Sequence, residues 1–460
     1  MKRFSLRSAR SRTRLIATGA VACAMAGTMA LSASGTAGAA SAATPGVTAT
    51  SVTLGATEPL TGVADNYNDI APAIAAVFAA FNAHGGVNGR QIKYTYLDDQ
   101  YSPSITATMT HELVLQDNIF ADVGSLGTPT QLEVQPYLNS QKIPQLFVLS
   151  GCNCWSSAKY PYTSGYEPPY SVDGKILGAY TAKNFAGEKI GYFTQDDEFG
   201  FDTIKGLDME IKSSSVVSQQ TYVATTAAYI AGLNSQVAKL QASGAKVVVV
   251  AAVPAFVNLF ATTAATLGYT PQLVIDGVAA DPSAIGSSGV LSTPAPAGQA
   301  LLNGAITDSY NGAFENQTSN PWVQVATKLL TKYDSQVATN GITGDELVGF
   351  NLGYTIVQAL QAAGKNLTRQ GLLNAIAADG SKFITSGFVP YSYSSTVHYG
   401  YEGELLYKMS TSAPPITLPS GTYMGVEPLG TVYYTSPGAG PVKVWSGAQD
   451  KVPASLQKIA

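Results

Sequence analysis

The chain has 460 residues, 45% hydrophobic and only 12% charged, with a formal net charge of −4 and a pI near 5.5. Length sets a prior of about three domains and at least two. The composition excludes a disordered chain, the acidic balance argues against a nucleic-acid binder, and the 45 glycines follow no period, which excludes a collagen-like rod.

The charge is unevenly placed. Lys2, Arg3, Arg7, Arg10, Arg12 and Arg14 precede the first acidic residue, and without these six the remaining 20 basic residues face 30 acidic ones, a balance of −10. Residues 1–42 read as a secretory signal: a basic start, an apolar stretch from Leu15 to Leu31, and the small-residue cleavage signals Ala37-Gly38-Ala39 and Ala40-Ser41-Ala42. A membrane anchor is the competing reading, but glycine interrupts the stretch. A lipid anchor at Cys23 after Ala20-Val21-Ala22 is a further alternative. The arginines are never adjacent, which argues against the twin-arginine route. The Ala/Gly/Ser/Thr bias suggests an actinobacterial-type exported protein. Export leaves Cys152 and Cys154, which are expected to pair as a small C-N-C ring, with two free thiols as the alternative.

From residue 52 strand-like and helix-like segments alternate. Val52 to Thr57 reads as a strand, and Ile70 to Phe81 as a helix with Ile70, Ile74, Val77, Phe78 and Phe81 on one face. Ile92 to Leu97 is a strand, Ile105 to Leu115 a helix, and Ala121 to Gly124 and Gln145 to Leu149 are strands. After an irregular stretch, 151–170, the pattern restarts: a strand at 190–193, a helix from Thr203 to Ser213, a helix through Ile230, Leu233, Val237 and Leu240, and a buried strand at 247–251. A helix over 257–267 and strands at 273–275 and 305–307 follow, then long helices over 322–333 and 347–363, and late strands at 404–409 and 431–434. This pattern predicts an α/β fold of two doubly wound parallel-sheet lobes, with ligands at the carboxyl ends of the strands.

No catalytic pattern emerges. His84, His111 and His398 are far apart, and the sequence has no H-E-x-x-H, no G-x-S-x-G, no phosphate loop, and no G-x-G-x-x-G after a strand. Asp98-Asp99 and Asp196-Asp197 read as strand-end carboxylates. The loop Gly124 to Thr130 follows a strand and opens a helix. Its hydroxyls and backbone N–H groups suit an anion, or Thr128 or Thr130 caps the helix. No cofactor or metal is expected.

Several segments together resemble the type I periplasmic binding proteins, specifically the branched-chain amino acid (Leu/Ile/Val) family of ABC importers. They are Gly55 to Gly62, Phe81-Asn82-Ala83-His84-Gly85-Gly86-Val87-Asn88-Gly89-Arg90, Gln195-Asp196-Asp197-Glu198-Phe199-Gly200, Gly232 to Gly244 with the strand after it, and Leu360 to Gly371. The resemblance implies two lobes joined by three crossovers, with lobe 1 at 47–185 and 305–385 and lobe 2 at 186–304 and 386–460. It implies no catalysis. A small-molecule ligand would sit in the cleft, a membrane permease would be the partner, and the protein would be a monomer outside the cytoplasm.

Carried onto this chain, Tyr67 matches an aromatic of the first loop, and Ser125, Thr128 and Thr130 match the hydroxyl loop after the third strand. Ser150, Gly151 and Cys152 match the loop after the fourth strand. Phe199 stands where the family often has tyrosine, and Ala252 stands where it has an aromatic. Asp276 falls where amino acid binders carry the carboxylate for the ammonium group; alternatively it forms a plain Asp-Gly turn. The insert 152–169 and the segment 411–460 exceed the family pattern. A sensor or carrier for amide, urea-like or aromatic solutes is the second functional reading, and a secreted hydrolase the third.

Overall fold

The computed structural model describes residues 44–286 and 296–460. The expected leader and Cys23 lie outside them. The first sheet is built of β1 (Ser51–Glu58), β2 (Gln91–Asp98), β3 (Ala121–Val123), β4 (Gln145–Val148) and β5 (Thr163–Gly165) in the order β2-β1-β3-β4-β5, with every neighbouring pair parallel. Its cover includes the helix Ile70–Ala83 and a helix from far along the chain, Gly344–Ala363. Gly349 and Gly353 let these two helices meet closely: a Cβ at Gly353 would stand 3.0 Å from the Val77 side chain and 3.2 Å from the Ile74 backbone.

The second sheet has eight strands: β6 (Ile190–Gln195), β7 (Val216–Tyr222), β8 (Val247–Ala251), β9 (Gln272–Ile275), β10 (Ile306–Ser309), β11 (Gly403–Ser410), β14 (Gly425–Ser436) and β15 (Ala439–Val444). The short β12 (Ile416–Leu418) and β13 (Gly421–Tyr423) form a separate hairpin. The order is β15-β14-β11-β10-β9-β8-β6-β7; β10 through β7 run parallel, and β11, β14 and β15 add an antiparallel edge. The unbroken valine run of β8 follows from cover on both faces. Val247 and Val249 pack with Val172, Ile176 and Leu207 on one side, while Val248 and Val250 join the core of Leu240, Phe256 and Phe260 on the other.

Three features differ from the sequence reading. The edge strand β7 was not expected, because its residues alternate between exposed and half-buried and carry little apolar signal. The helix expected through Ile230 is broken at Gly232 (φ +76°) into Thr226–Ala231 and Asn234–Ser243, leaving Ile230 in solvent. The helix Tyr170–Asn184 begins at the end of the stretch read as irregular.

The expected lobe boundaries also move. Tyr170–Asn184 packs on the second sheet through Val172, Ile176 and Leu177, so the first crossing falls near residue 168 rather than 185. β10 pairs with β9 and β11, so it belongs to the second sheet and not to lobe 1. At the end of the chain, Trp322 Nε1 donates to the Asp450 carbonyl at 2.7 Å, which ties the tail to the helix Pro321–Tyr333 rather than to lobe 2. A strand belongs to the sheet it pairs with, and pairing is not visible in the chain's own periodicity.

The helices Tyr170–Asn184 and Glu198–Glu210 cross on glycines. A Cβ on Gly174 would overlap the Thr203 carbonyl oxygen, and one on Gly206 would stand 2.5 Å from the Ser171 carbonyl oxygen. Alanine is the better helix former by about 1 kcal/mol, but here the contact is backbone and cannot yield. Gly174→Ala is expected to lower unfolding free energy by about 2 kcal/mol in a urea titration. Unchanged stability would show that the helices separate freely.

The three crossings meet in one buried hydrogen-bond network. Asn351 Nδ2 lies 2.7 Å from the Tyr166 hydroxyl, 3.0 Å from that of Tyr401, 3.2 Å from Asn311 Oδ1 and 3.3 Å from Thr385 Oγ1. Asn351 Oδ1 accepts from the Ser386 N–H at 3.1 Å. Thr355 and Tyr391 extend the network at 2.6 Å, and Tyr166 and Tyr391 meet at 3.3 Å. Tyr166 comes from the first crossing, Asn311 from the second, and Thr385, Ser386, Tyr391 and Tyr401 from the third. Part of the 152–169 insert thus builds the hinge.

Candidate functional site

A cleft with about 100 Å³ of water-accessible volume lies at the carboxyl ends of the strands, between the two sheets. Lobe 1 contributes Tyr67, Tyr101, Leu126, Gly127 and Leu149, and the helix Gly344–Ala363 contributes Gly344, Asp345 and Val348. The facing wall is Tyr170, Asp173, Phe199, Val253, Gly277, Val278 and Asp281, with Tyr310, Asn311, Phe314 and Glu404 from the strand ends near the hinge.

Direct bonds bridge the walls. The Tyr67 hydroxyl donates to the Val278 carbonyl at 2.7 Å, Asn66 Nδ2 donates to the Ala284 carbonyl at 2.6 Å, and Gln195 Nε2 donates to the Tyr101 hydroxyl at 3.3 Å. The lobes are therefore closed on each other. Tyr310 couples the hinge to the cleft by donating to Glu167 Oε1 at 3.2 Å.

The lining is acidic, and burial raises its carboxyl groups. Burial drives Glu167 up to about 8, against the hydrogen bond from Tyr310 and with help from the charge of Asp276. Asp173 is held well above its ordinary range by burial and by Asp276, Asp308 and Glu167. Glu404 rises by burial and by the charges of Asp173 and Asp276. Asp345 rises by burial and by Asp281, Asp69 and Glu346.

Of the residues expected in the site, Tyr67 and Phe199 line the cleft, and the Phe199 ring packs 4.4 Å from that of Tyr170. Thr128 and Ser150 bond each other at 2.8 Å and lie behind Tyr170, whose hydroxyl they face. Ser125 turns inward, donating to Asp122 Oδ1 at 2.8 Å and accepting from the Thr57 N–H at 3.0 Å. Thr130 donates to the Leu126 carbonyl at 2.7 Å. Neither threonine caps the helix Thr128–Ser140; its N-cap is Gly127 (φ +110°), with no side-chain cap. Gly151 accepts the Tyr170 N–H at 2.5 Å. Cys152 is bonded to Cys154 and packs with Val148 and Trp155. Ala252 is buried, and its neighbour Val253 reaches the cleft instead.

Asp276 does not line the cleft. It is fully buried, one oxygen accepts the Val278 N–H at 3.2 Å, and the other accepts from Thr203 at 3.4 Å. The turn reading describes it, and burial pushes it up to about 7. Sequence reasoning missed Glu167, Asp173, Asp281, Tyr310, Asp345 and Glu404. One signal was available: Glu404 is an acid inside a segment read as a strand, where a buried position is otherwise apolar.

Such a cleft, at the strand ends of two lobes joined by a three-stranded hinge, defines a two-lobed receptor that closes on a solute. The chain belongs to the periplasmic binding proteins: that family matches residues 51–400. No curated protein matches it in sequence.

Solved structures match across the fold. A fatty acid ABC transporter substrate-binding protein from Thermomonospora curvata is 21% identical with a TM-score of 0.69, covering 84% of this chain and 94% of its own. A branched chain amino acid ABC transporter protein from Thermus thermophilus with bound valine is 17% identical with a TM-score of 0.64, covering 82% and 96%. A solute binding protein from Rhodopseudomonas palustris BisB5, in complex with 3,4-dihydroxy benzoic acid, is 16% identical with a TM-score of 0.64, covering 83% and 97%. The type I binding-protein resemblance seen in the motifs therefore holds, and the chain is a periplasmic binding protein that shares the fold of these structures.

Proposed function

We propose that this protein is exported and binds a small amine-bearing solute in its cleft, amino acids being one such class, and delivers it to a membrane permease. The observation that carries the reading is the closed cleft itself, walled by aromatic rings and carboxylates from both lobes. A ligand touching both walls stabilises the closed form by its differential contacts, and the closed form is what a permease distinguishes. Aromatic faces and carboxylates both favour an ammonium group. Among the described residues no helix is long and apolar enough to cross a membrane.

Calorimetry with the proteinogenic amino acids, octanoate and 3,4-dihydroxybenzoate tests the class. At least one amine is expected to bind, with the two acids weaker. Tyr67→Phe removes one bond across the cleft and is expected to raise Kd about fivefold, the worth of about 1 kcal/mol. The reading fails if only the acids bind, or if Tyr67→Phe leaves every affinity untouched.

A further inference from the structure

The acids of the cleft lie in two groups, and Glu167, whose charge acts on Asp173, belongs with the first. At one end Asp173 and Glu404 are 4% and 1% exposed and face the cleft, their carboxyls against each other, and no donor from elsewhere in the protein reaches Asp173 Oδ1 or either Glu404 carboxylate oxygen. Asp308 stands behind them with its carboxyl against that of Glu404. At the other end Asp281 and Asp345 line the cleft. Asp281 is held by the Ser283 and Gly344 N–H groups, and Asp345 feels the charges of Asp281, Asp69 and Glu346 rather than those of the first group. No lysine, arginine or histidine stands among the described lining residues.

A buried carboxyl without a donor is costly, and a second beside it more so. An anionic ligand would add to that repulsion. A zwitterion would relieve one end and set its own carboxylate near acids at the other. Resting on the reading of this cleft as the solute site, we propose that the ligand is an organic dication: two ammonium or guanidinium groups on an aliphatic spacer. One group sits between Asp173 and Glu404, the other at Asp281 and Asp345, and the spacer lies against Tyr67, Tyr170 and Tyr310. Aromatic faces hold alkyl ammonium groups by cation–π attraction. Among the described residues no group of acids, histidines and cysteines is arranged to hold a metal ion, which favours an organic cation.

The test is calorimetry of the full mature protein with putrescine, cadaverine, spermidine and L-lysine, against butylamine, L-valine and octanoate. At least one dication is expected to bind about tenfold or more tighter than butylamine and valine, the worth of one further charged hydrogen bond. Glu404→Gln and Asp345→Asn, made separately, are each expected to weaken that dication by about tenfold while leaving butylamine changed by only one of them. Thermal melting of both variants checks their folding, and either variant alone suffices for the comparison. Valine or octanoate binding as tightly as every dication overturns the proposal and leaves the cleft's role as a solute site intact. Dication binding unmoved by both substitutions also overturns it. Binding by no probe removes both readings.

Discussion

Asn351→Leu is expected to lower unfolding free energy by about 3–5 kcal/mol, the range for breaking a buried polar network. The side chain is fully buried and joins all three crossings. Leucine fills a similar volume but offers no donor or acceptor. The hydroxyls of Tyr166 and Tyr401 and the backbone N–H of Ser386 would each lose a partner at a place water does not reach. Thr355→Val, by contrast, removes a hydroxyl that meets Tyr391 at the margin of the network and bonds its own helix, and about 1 kcal/mol is expected. Urea titrations of both variants make the comparison. Equal, small losses would mean that the three strands of the hinge are held by packing alone. A ligand-binding assay on Asn351→Leu adds a second reading, because a loosened hinge raises the cost of reaching the closed state and should weaken every ligand alike.

The ligand-free protein is expected to lose stability as pH rises from 5 to 8, with a melting temperature lower by roughly 10 °C at the upper end. The sign follows from the direction of the shifts. Asp276 rises from 3.8 to about 7 and Glu167 from 4.5 to about 8, and in both cases burial is the main cause. In the unfolded chain these groups have released their protons by pH 5–6. The folded protein still holds them, so it binds more protons than the unfolded state throughout this window. Stability is full below the unfolded values and drains away as pH climbs through the folded ones. Asp276 alone is worth on the order of 3 kcal/mol between pH 5 and its folded value of about 7. The groups facing it are Glu167, Asp173, Asp308 and Glu404, all acids, with Thr203 and the Val278 N–H as its donors. A melting temperature that rises from pH 5 to pH 8 would remove this account. A cationic ligand should reverse the slope, since it takes the place of the protons, and its affinity should increase with pH over the same range.

Much of the architecture was legible because burial leaves a local trace. The valines of β8 form an unbroken run because both faces of that strand are covered. The spacing of Ile70, Ile74, Val77 and Phe81 marks the face of a helix that meets one core. Tyr67 and Phe199, singled out through the family resemblance at loops that follow strands, both line the cleft. The edge strand β7 was not found, since an edge alternates polar and half-buried residues and carries little apolar signal. Asp276 was singled out as the carboxylate at a strand end, and a carboxylate there can equally close its own turn, as it does. What separates the two roles is which way the oxygens point.

By itself the sequence determined the α/β class, the order of most strands and helices, the family motifs and the acidity of the chain beyond residue 46. These are set by neighbours in sequence: periodicity, turn residues and composition. The tertiary structure alone decided that β10 joins the second sheet, that the tail ties back to the helix Pro321–Tyr333, and that Asn351 joins three crossings. It alone brought Asp173 and Glu404, 231 positions apart in the numbering, to one wall of the cleft. Each of these depends on contacts between residues remote in the chain, and the energy of a buried acid depends on which other charges the fold places around it.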